Sequence, residues 1–319
     1  MITNNTNLSL PLAMFLVMDD YDHVSKSNYI SATSLLRPIK ATILQGRLKG
    51  EIENDVLDFV ASRVGTSAHD RLEKAFLNGN HVKNMRKLGY PEDIISRTKI
   101  NPVNPHEADI PIYLEKRTIK ELNGYLIGGK FDTVVEDTVR DLKTTKVFKW
   151  IKGDFEEYEL QGSIYRWLNP DIIKNDYMYI DFIFTDWKKF EAKAKKEYPQ
   201  YPAQSKRLPL LSLEDTEKWI SGKLNQITSL INKDQDELPK CTQKELWQDE
   251  PKYAYFKNPL GKRATKVFSN LLDANTKLLA DGSVGKIDTR NGTPKRCNYC
   301  NARPICNQYA QFVNEGLMK

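Results

Sequence analysis

The chain has 319 residues, 40% of them hydrophobic and 28% charged, with 48 lysines and arginines against 42 aspartates and glutamates for a net charge of +6. That is enough chain for one large domain or a domain plus a smaller module, and the mild basic excess is compatible with a polyanionic partner without establishing one. The longest apolar run, "LPLAMFLVM" at residues 10–18, is too short and too broken by Pro11 to cross a membrane, and no basic segment precedes it as in a signal peptide, so a cytoplasmic protein is expected.

Residues 31–48 read as helical, with Pro38 restarting the helix. Residues 54–79 carry apolar residues at helical spacing on both sides of Gly65, which predicts one broken helix or two abutting ones. Residues 91–98 form a short helix opened by proline. The period then falls to two. "IPIYLEKR", "GYLIGGKFDTVV" and "TVRDLKTT" read as three successive strands. Residues 154–168 return to helix, capped by Asp154 and stopped before Pro170, and residues 177–187 form a strand. An amphipathic helix over residues 212–232 has Ser212 as its N-cap. Beyond Cys241 come a hairpin turning at residues 258–261, the helix "NLLDANTKLLA" and the strand "GKIDTR". The expected fold class is α/β (α+β): a mixed central sheet flanked by helices over residues 1–240, and a small cysteine-bounded α+β module over residues 241–319.

The stretch "GGKFDTVVEDTVRDLKTTK" concentrates charge on a predicted hairpin. With Glu136 and Asp137 as a two-residue turn, Val135 faces Thr138, Val134 faces Val139, and Asp132 falls opposite Asp141. Directly opposed side chains have Cβ atoms about 5 Å apart. Two carboxylates that close repel unless a cation lies between them. Lys143, two residues beyond Asp141, projects on the same face. Mg²⁺ or Mn²⁺ prefers oxygen ligands, lowers the pKa of a bound water and can bridge carboxylates to a phosphate oxygen. A nearby ammonium can orient that water, help it lose a proton or offset developing negative charge. The constellation therefore points to phosphodiester hydrolysis. Glu-Asp is a disfavoured turn pair, because both positions need positive φ.

The four cysteines are Cys241, Cys297, Cys300 and Cys306, the last three spaced C-x2-C-x5-C. In a reducing compartment such clustering favours a metal over disulfides, and four cysteines can hold zinc or a [4Fe–4S] cluster. Zinc sites usually come as two paired knuckles; here one cysteine is isolated, which favours the cluster. Closing the 55-residue stretch between Cys241 and Cys297 would fasten the C-terminal module.

"GGKFD" followed by "DLK" resembles the PD-(D/E)XK nuclease superfamily, within it the RecB-like branch that includes CRISPR-associated and phage recombination exonucleases. "VGTSAHDRLE", "QGSIY" and "CNYCNARPIC" occur in the order that branch has them, over residues 31–309. The resemblance implies a restriction-endonuclease-like core. It makes His69, Asp132, Asp141 and the Leu142 carbonyl ligands of Mg²⁺ or Mn²⁺, Lys143 the catalytic lysine, and Gln161 and Tyr165 the helix element after the catalytic strands. Glu115 matches a position that is often acidic. The four cysteines match an iron–sulfur version, but Cys241 follows the core instead of preceding it, which points to a phage-type arrangement in a host cytoplasm. The implied activity is a DNA exonuclease of recombination, repair or phage DNA metabolism. An endonuclease on the same core and a non-catalytic DNA-binding subunit are the alternatives.

Gln161 and Tyr165 share a helix face, so two roles are open: a core stripe with Leu160, Ile164 and Trp167, or Gln161 bonding near the site and Tyr165 touching the DNA strand. Lys257, Lys262, Arg263 and Lys266 on the C-terminal hairpin lie along a DNA backbone or simply in solvent.

Overall fold

The structure is a computed structural model that describes residues 2–20, 22–48 and 53–318. It is mixed α/β. Six strands form the central sheet in the order Ala203–Pro209, Tyr177–Phe184, Thr138–Thr145, Thr133–Val135, Ile110–Leu114, Thr98–Ile100. Tyr177–Phe184 runs parallel to Thr138–Thr145 and antiparallel to Ala203–Pro209. A parallel pair needs a crossover, and the helices Val147–Lys152 and Glu156–Leu168 supply it.

The three strands expected over residues 110–145 are five. "IPIYLEKR" breaks at Glu115, whose φ is +49°, and "GYLIGGKFDTVV" breaks where Phe131 turns fully into the core. The outer pieces join the central sheet. Arg117–Leu122 and Tyr125–Lys130 form a separate three-stranded sheet with Tyr29–Ser31. Asp132 sits at the point where the chain passes from one sheet to the other.

Glycines let the helix Glu156–Leu168 lie close to both sheets. A Cβ on Gly129 would stand 2.9 Å from the Tyr165 ring, and one on Gly162 would stand 2.3 Å from Met178 Sδ. Those approaches are below contact distance, so a side chain at either position would force the helix outward. Between helix and sheet lies a core that includes Phe131, Ile164, Ile180 and Phe182, each 1% exposed or less. Trp150 packs edge-on against Phe182 and Phe184 at 5.8 Å.

Two helix expectations change. The segment over residues 54–79 is one unbroken helix, Val60–Phe76, preceded by a 3₁₀ turn that Asp55 and Asp58 close with a capping box. Gly65 passes through its interior. Asp154 does not cap the next helix; Phe155 occupies that position without a side-chain bond, and Glu156, Glu157 and Glu159 instead oppose the helix dipole. Ser212 does cap its helix, accepting from Asp215 N–H at 3.0 Å.

The chain forms two compact units, residues 1–36 with 51–225, and residues 37–50 with 226–319. The boundary placed at 240/241 from the sequence falls inside the second unit. That unit contains an antiparallel sheet in the order Lys266–Phe268, Lys252–Phe256, Lys286–Arg290, the helix Leu271–Ala280, and the cysteines. The helix Ile39–Arg47 belongs to it as well. Among the described residues no helix is long and apolar enough to cross a membrane.

Candidate active site and cysteine cavity

The hairpin register is the one its valines dictate. Val135 pairs with Thr138, Val134 with Val139 and Thr133 with Arg140, so Asp132 and Asp141 fall at the next step. The turn residues Glu136 and Asp137 have φ of +48° and +58°, the left-handed pair that a two-residue hairpin requires. Neighbouring side chains hold this disfavoured sequence in place. Asn175 Nδ2 donates to the Glu136 carbonyl at 3.1 Å and to Thr138 Oγ1 at 2.8 Å, and Lys174 Nζ lies 3.3 Å from Asp137.

Asp132 is the hub. Its Oδ2 accepts the Leu142 N–H at 3.0 Å and lies 3.0 Å from His69 Nδ1, which the helix Val60–Phe76 carries in. Burial works against the Asp132 charge, but His69, Lys143 and the Leu142 N–H outweigh it and hold its pKa below the usual carboxylate range. The hydrogen bond to Asp132 in turn raises the His69 pKa against the opposing effect of burial.

Asp141 is 1% exposed, and its Oδ2 lies 2.6 Å from Lys143 Nζ. Lys143 is thus the partner of that buried oxygen. Burial, reinforced by the Asp132 charge, pushes the Asp141 pKa up to about 6 against the pull of Lys143. Burial disfavours the Lys143 ammonium, but Asp141 and Asp132 overcome it and hold its pKa above the usual value. Lys143 therefore stays cationic.

Glu115 comes in from the strand break. Its N–H donates to the Asp132 carbonyl at 3.0 Å, and its Oε2 meets Lys130 Nζ at 2.6 Å. Burial raises its pKa and Lys130 offsets only part of that. Among the described residues His69, Glu115 and Asp132 form the three-ligand group, with ligand atoms all within 4.8 Å of one another. Asp141 stands outside that group, turned to Lys143. The donors are two carboxylates and an imidazole, with a further buried carboxylate adjoining; this set fits a hard divalent cation.

Tyr165 is a core residue, contrary to the reading that has it touch the DNA strand. It is 4% exposed, packs edge-on against Phe131 at 6.4 Å, and receives the Gln161 Nε2 hydrogen bond at 2.7 Å. Gln161 is half-buried. Tyr158, one turn earlier on the same face, lies nearer the chemistry: Lys143 Nζ is 5.9 Å from its ring centroid. Sequence reasoning missed both Tyr158 and Lys130. Tyr158 was legible as the residue three before Gln161; Lys130 had no signal until Glu115 was placed.

In the second unit, Cys241, Cys297, Cys300 and Cys306 line one cavity of about 230 Å³. Cys241 is brought to the others by a reciprocal amide pair: its N–H donates to Gln308 Oε1 and its carbonyl accepts from Gln308 Nε2, each at 2.9 Å. Arg37, Lys40 and Arg296 also border the cavity. Burial pushes the Cys241 thiol up to about 12 and the Cys297 thiol up to about 11. Burial, and then Arg296, lower the Arg37 pKa, so positive charge is crowded there. Among the described residues no three of the four sulfurs fall within 4.8 Å of one another. A tetrahedral zinc site with Zn–S of about 2.3 Å needs sulfurs about 3.8 Å apart.

No protein-family model matches the chain, and no curated protein is significantly similar to it. Among solved structures, the chain is similar to the protein SSO0001 at 17% identity and a TM-score of 0.42, over 67% of this chain and 83% of that one. It is also similar to a "Putative exonuclease" from Eubacterium rectale at 13% identity and a TM-score of 0.35, over 66% of this chain and 87% of that one.

Proposed function

We propose that the first unit is a Mg²⁺- or Mn²⁺-dependent deoxyribonuclease that hydrolyses phosphodiester bonds at DNA ends. The convergence of His69, Glu115 and Asp132 beside the Asp141–Lys143 pair carries this reading. His69, Asp132 and Asp141, with the Leu142 carbonyl and Glu115, would hold the ion. A divalent cation held there would supply acidification of the attacking water and neutralisation of charge on the phosphate. Asp132 fixes the imidazole of His69 and, through the Leu142 N–H, the strand that carries Asp141 and Lys143. Lys143, held protonated by its two carboxylates, stabilises charge on the phosphate oxygens and is not a base. Tyr158 flanks its amine.

The four thiols of the second unit would hold a [4Fe–4S] cluster with a structural role. The cavity shared by the four cysteines and its basic lining support this reading, because four thiolates bring negative charge that Arg37, Lys40 and Arg296 complement.

The test is incubation of the purified protein with end-labelled linear DNA and closed circular DNA, with Mn²⁺ or with chelator. Metal-dependent loss of the linear substrate with the circle intact is expected. Cutting of the circle would replace the exonuclease with an endonuclease on the same site, and failure to cut either would overturn the hydrolase. A visible spectrum of the same sample tests the cluster: broad visible absorption is expected, and a colourless protein would remove it.

A further inference from the structure

We propose that the helix Val147–Lys152, which directly follows the strand of Asp141 and Lys143, is a platform for single-stranded DNA leading to the hydrolytic site. The helix "VFKWIK" has three faces, each a pair at i and i+3. Val147, 4% exposed, and Trp150 face the core, where Trp150 meets Phe182 and Phe184. Phe148 and Ile151 face outward at 60% and 48% exposure. Lys149 and Lys152 form the third face.

The lysines form a row that begins at the site. Lys143 Nζ and Lys149 Nζ share the Tyr158 ring, at 5.9 and 4.8 Å from its centroid. Lys149 and Lys206 share the Phe155 ring, each at 5.9 Å, and Lys206 lies 5.4 Å from the Trp150 ring. Lys146, Lys149, Lys152 and Lys206 make no salt bridge among the described residues, whereas Lys195, Lys218 and Lys233 are each paired with a glutamate one helical turn away. Lys149 Nζ also donates to the Asp154 carbonyl and feels the Asp154 and Glu157 charges, but a row of cations with no direct salt bridge among the described residues, beside an exposed aromatic ring, complements a strand that offers both phosphates and open base faces. Within a duplex the bases are stacked on each other and only a terminal pair offers a face, so the platform favours a single strand. The position of the cut rests on the hydrolase reading above; the binding does not.

The probes are a fluorescein-labelled 20-nucleotide oligothymidylate and the blunt duplex of the same length, with binding read by anisotropy in EDTA and cleavage read separately in Mn²⁺. The parent should bind the single strand more tightly than the duplex. Phe148→Ala should weaken single-strand binding roughly 5- to 150-fold, the loss expected for one base–aromatic stack, with duplex binding within twofold and thermal stability unchanged. Phe148→Tyr should restore it. Lys149→Ala should reduce the slope of log K against log salt by about 0.7, one phosphate contact on a single strand. Parental single-strand binding by Phe148→Ala, equal loss for both probes, or no single-strand preference in the parent would each overturn the platform. Cleavage by the parent together with an indifferent Phe148→Ala leaves the hydrolase and removes the platform; the expected binding profile without cleavage does the reverse.

Discussion

Asp132 Oδ2 accepts the Leu142 N–H at 3.0 Å across the hairpin, on the residue between Asp141 and Lys143. The same oxygen lies 3.0 Å from His69 Nδ1. One carboxylate thus sets the strand register and the imidazole at once. Asp132→Asn keeps an oxygen to accept from Leu142 and removes the charge. It should fold with stability within about 1 kcal/mol of the parent, since the acceptor of a hydrogen bond of that net worth is retained. It should lose at least roughly tenfold in Mn²⁺ affinity. Chemical denaturation and a Mn²⁺ titration followed by calorimetry check the two halves.

Protons would compete with a cation bound at the proposed site. Burial pushes Asp141 up to about 6, and the bond to Asp132 raises His69 above the ordinary imidazole value, so as pH falls His69 takes up its proton before Asp141 does. Both shifts have the same sign for binding: affinity for Mn²⁺ declines as pH falls through the two protonations. The expected fall is between about tenfold and about a hundredfold per pH unit, for one or two protons displaced. The gain in melting temperature on adding Mn²⁺, measured at pH 5, 6 and 7.5, should shrink in that order from high to low pH. A gain independent of pH would remove Asp141 and His69 from the ligand set.

The turn is a local conflict held by its neighbours. Glu136 and Asp137 both occupy left-handed backbone, which costs about 1–2 kcal/mol for an ordinary L-residue. Replacing them with the favoured pair, Glu136→Asn with Asp137→Gly, keeps the backbone acceptor for Asn175 and removes that cost. The double variant should gain about 1 kcal/mol, or about 2–4 °C in melting temperature for a domain of this size. Asn175→Ala should act the other way.

The same conflict marks how far the sequence could be read. The alternation of Val134, Val135 and Val139 set the register even though Glu-Asp argued against the turn, because burying the valines outweighs two strained residues. The strand-strand-helix-strand insert was legible for the same reason: its periods and turn residues agree. Glu115 was not. Its entry into the site depends on a positive φ at a strand break, and the period-two pattern runs through that break without a signal. The passage between sheets at Phe131 was hidden likewise, since Phe131 is as apolar as a continuing strand would want. Gln161 and Tyr165 showed why a shared face is not a role: spacing of four is equally that of a core stripe, and Tyr165 is in the core.

Gln308 tests the second unit. It is 7% exposed and makes both hydrogen bonds that tie Cys241 to the helix Asn307–Asn314. Gln308→Ala leaves a part-buried N–H and a part-buried carbonyl of Cys241 without these partners, which should cost about 1–3 kcal/mol in urea unfolding. If the thiols hold a cluster, visible absorption should fall in the same variant, and Cys300→Ser should lose absorption and solubility together. A soluble, colourless and fully active Cys300→Ser would remove the structural role.

The central claim is that the pair of Asp141 and Lys143 beside His69, Glu115 and Asp132 performs metal-dependent hydrolysis. The rate at which Lys143→Ala cuts end-labelled linear DNA in Mn²⁺, under single-turnover conditions, tests it most directly. A loss of roughly 10²–10³, the scale for removing one preorganised charge stabiliser, is predicted, with DNA binding retained. Cleavage at the parental rate would contradict the account.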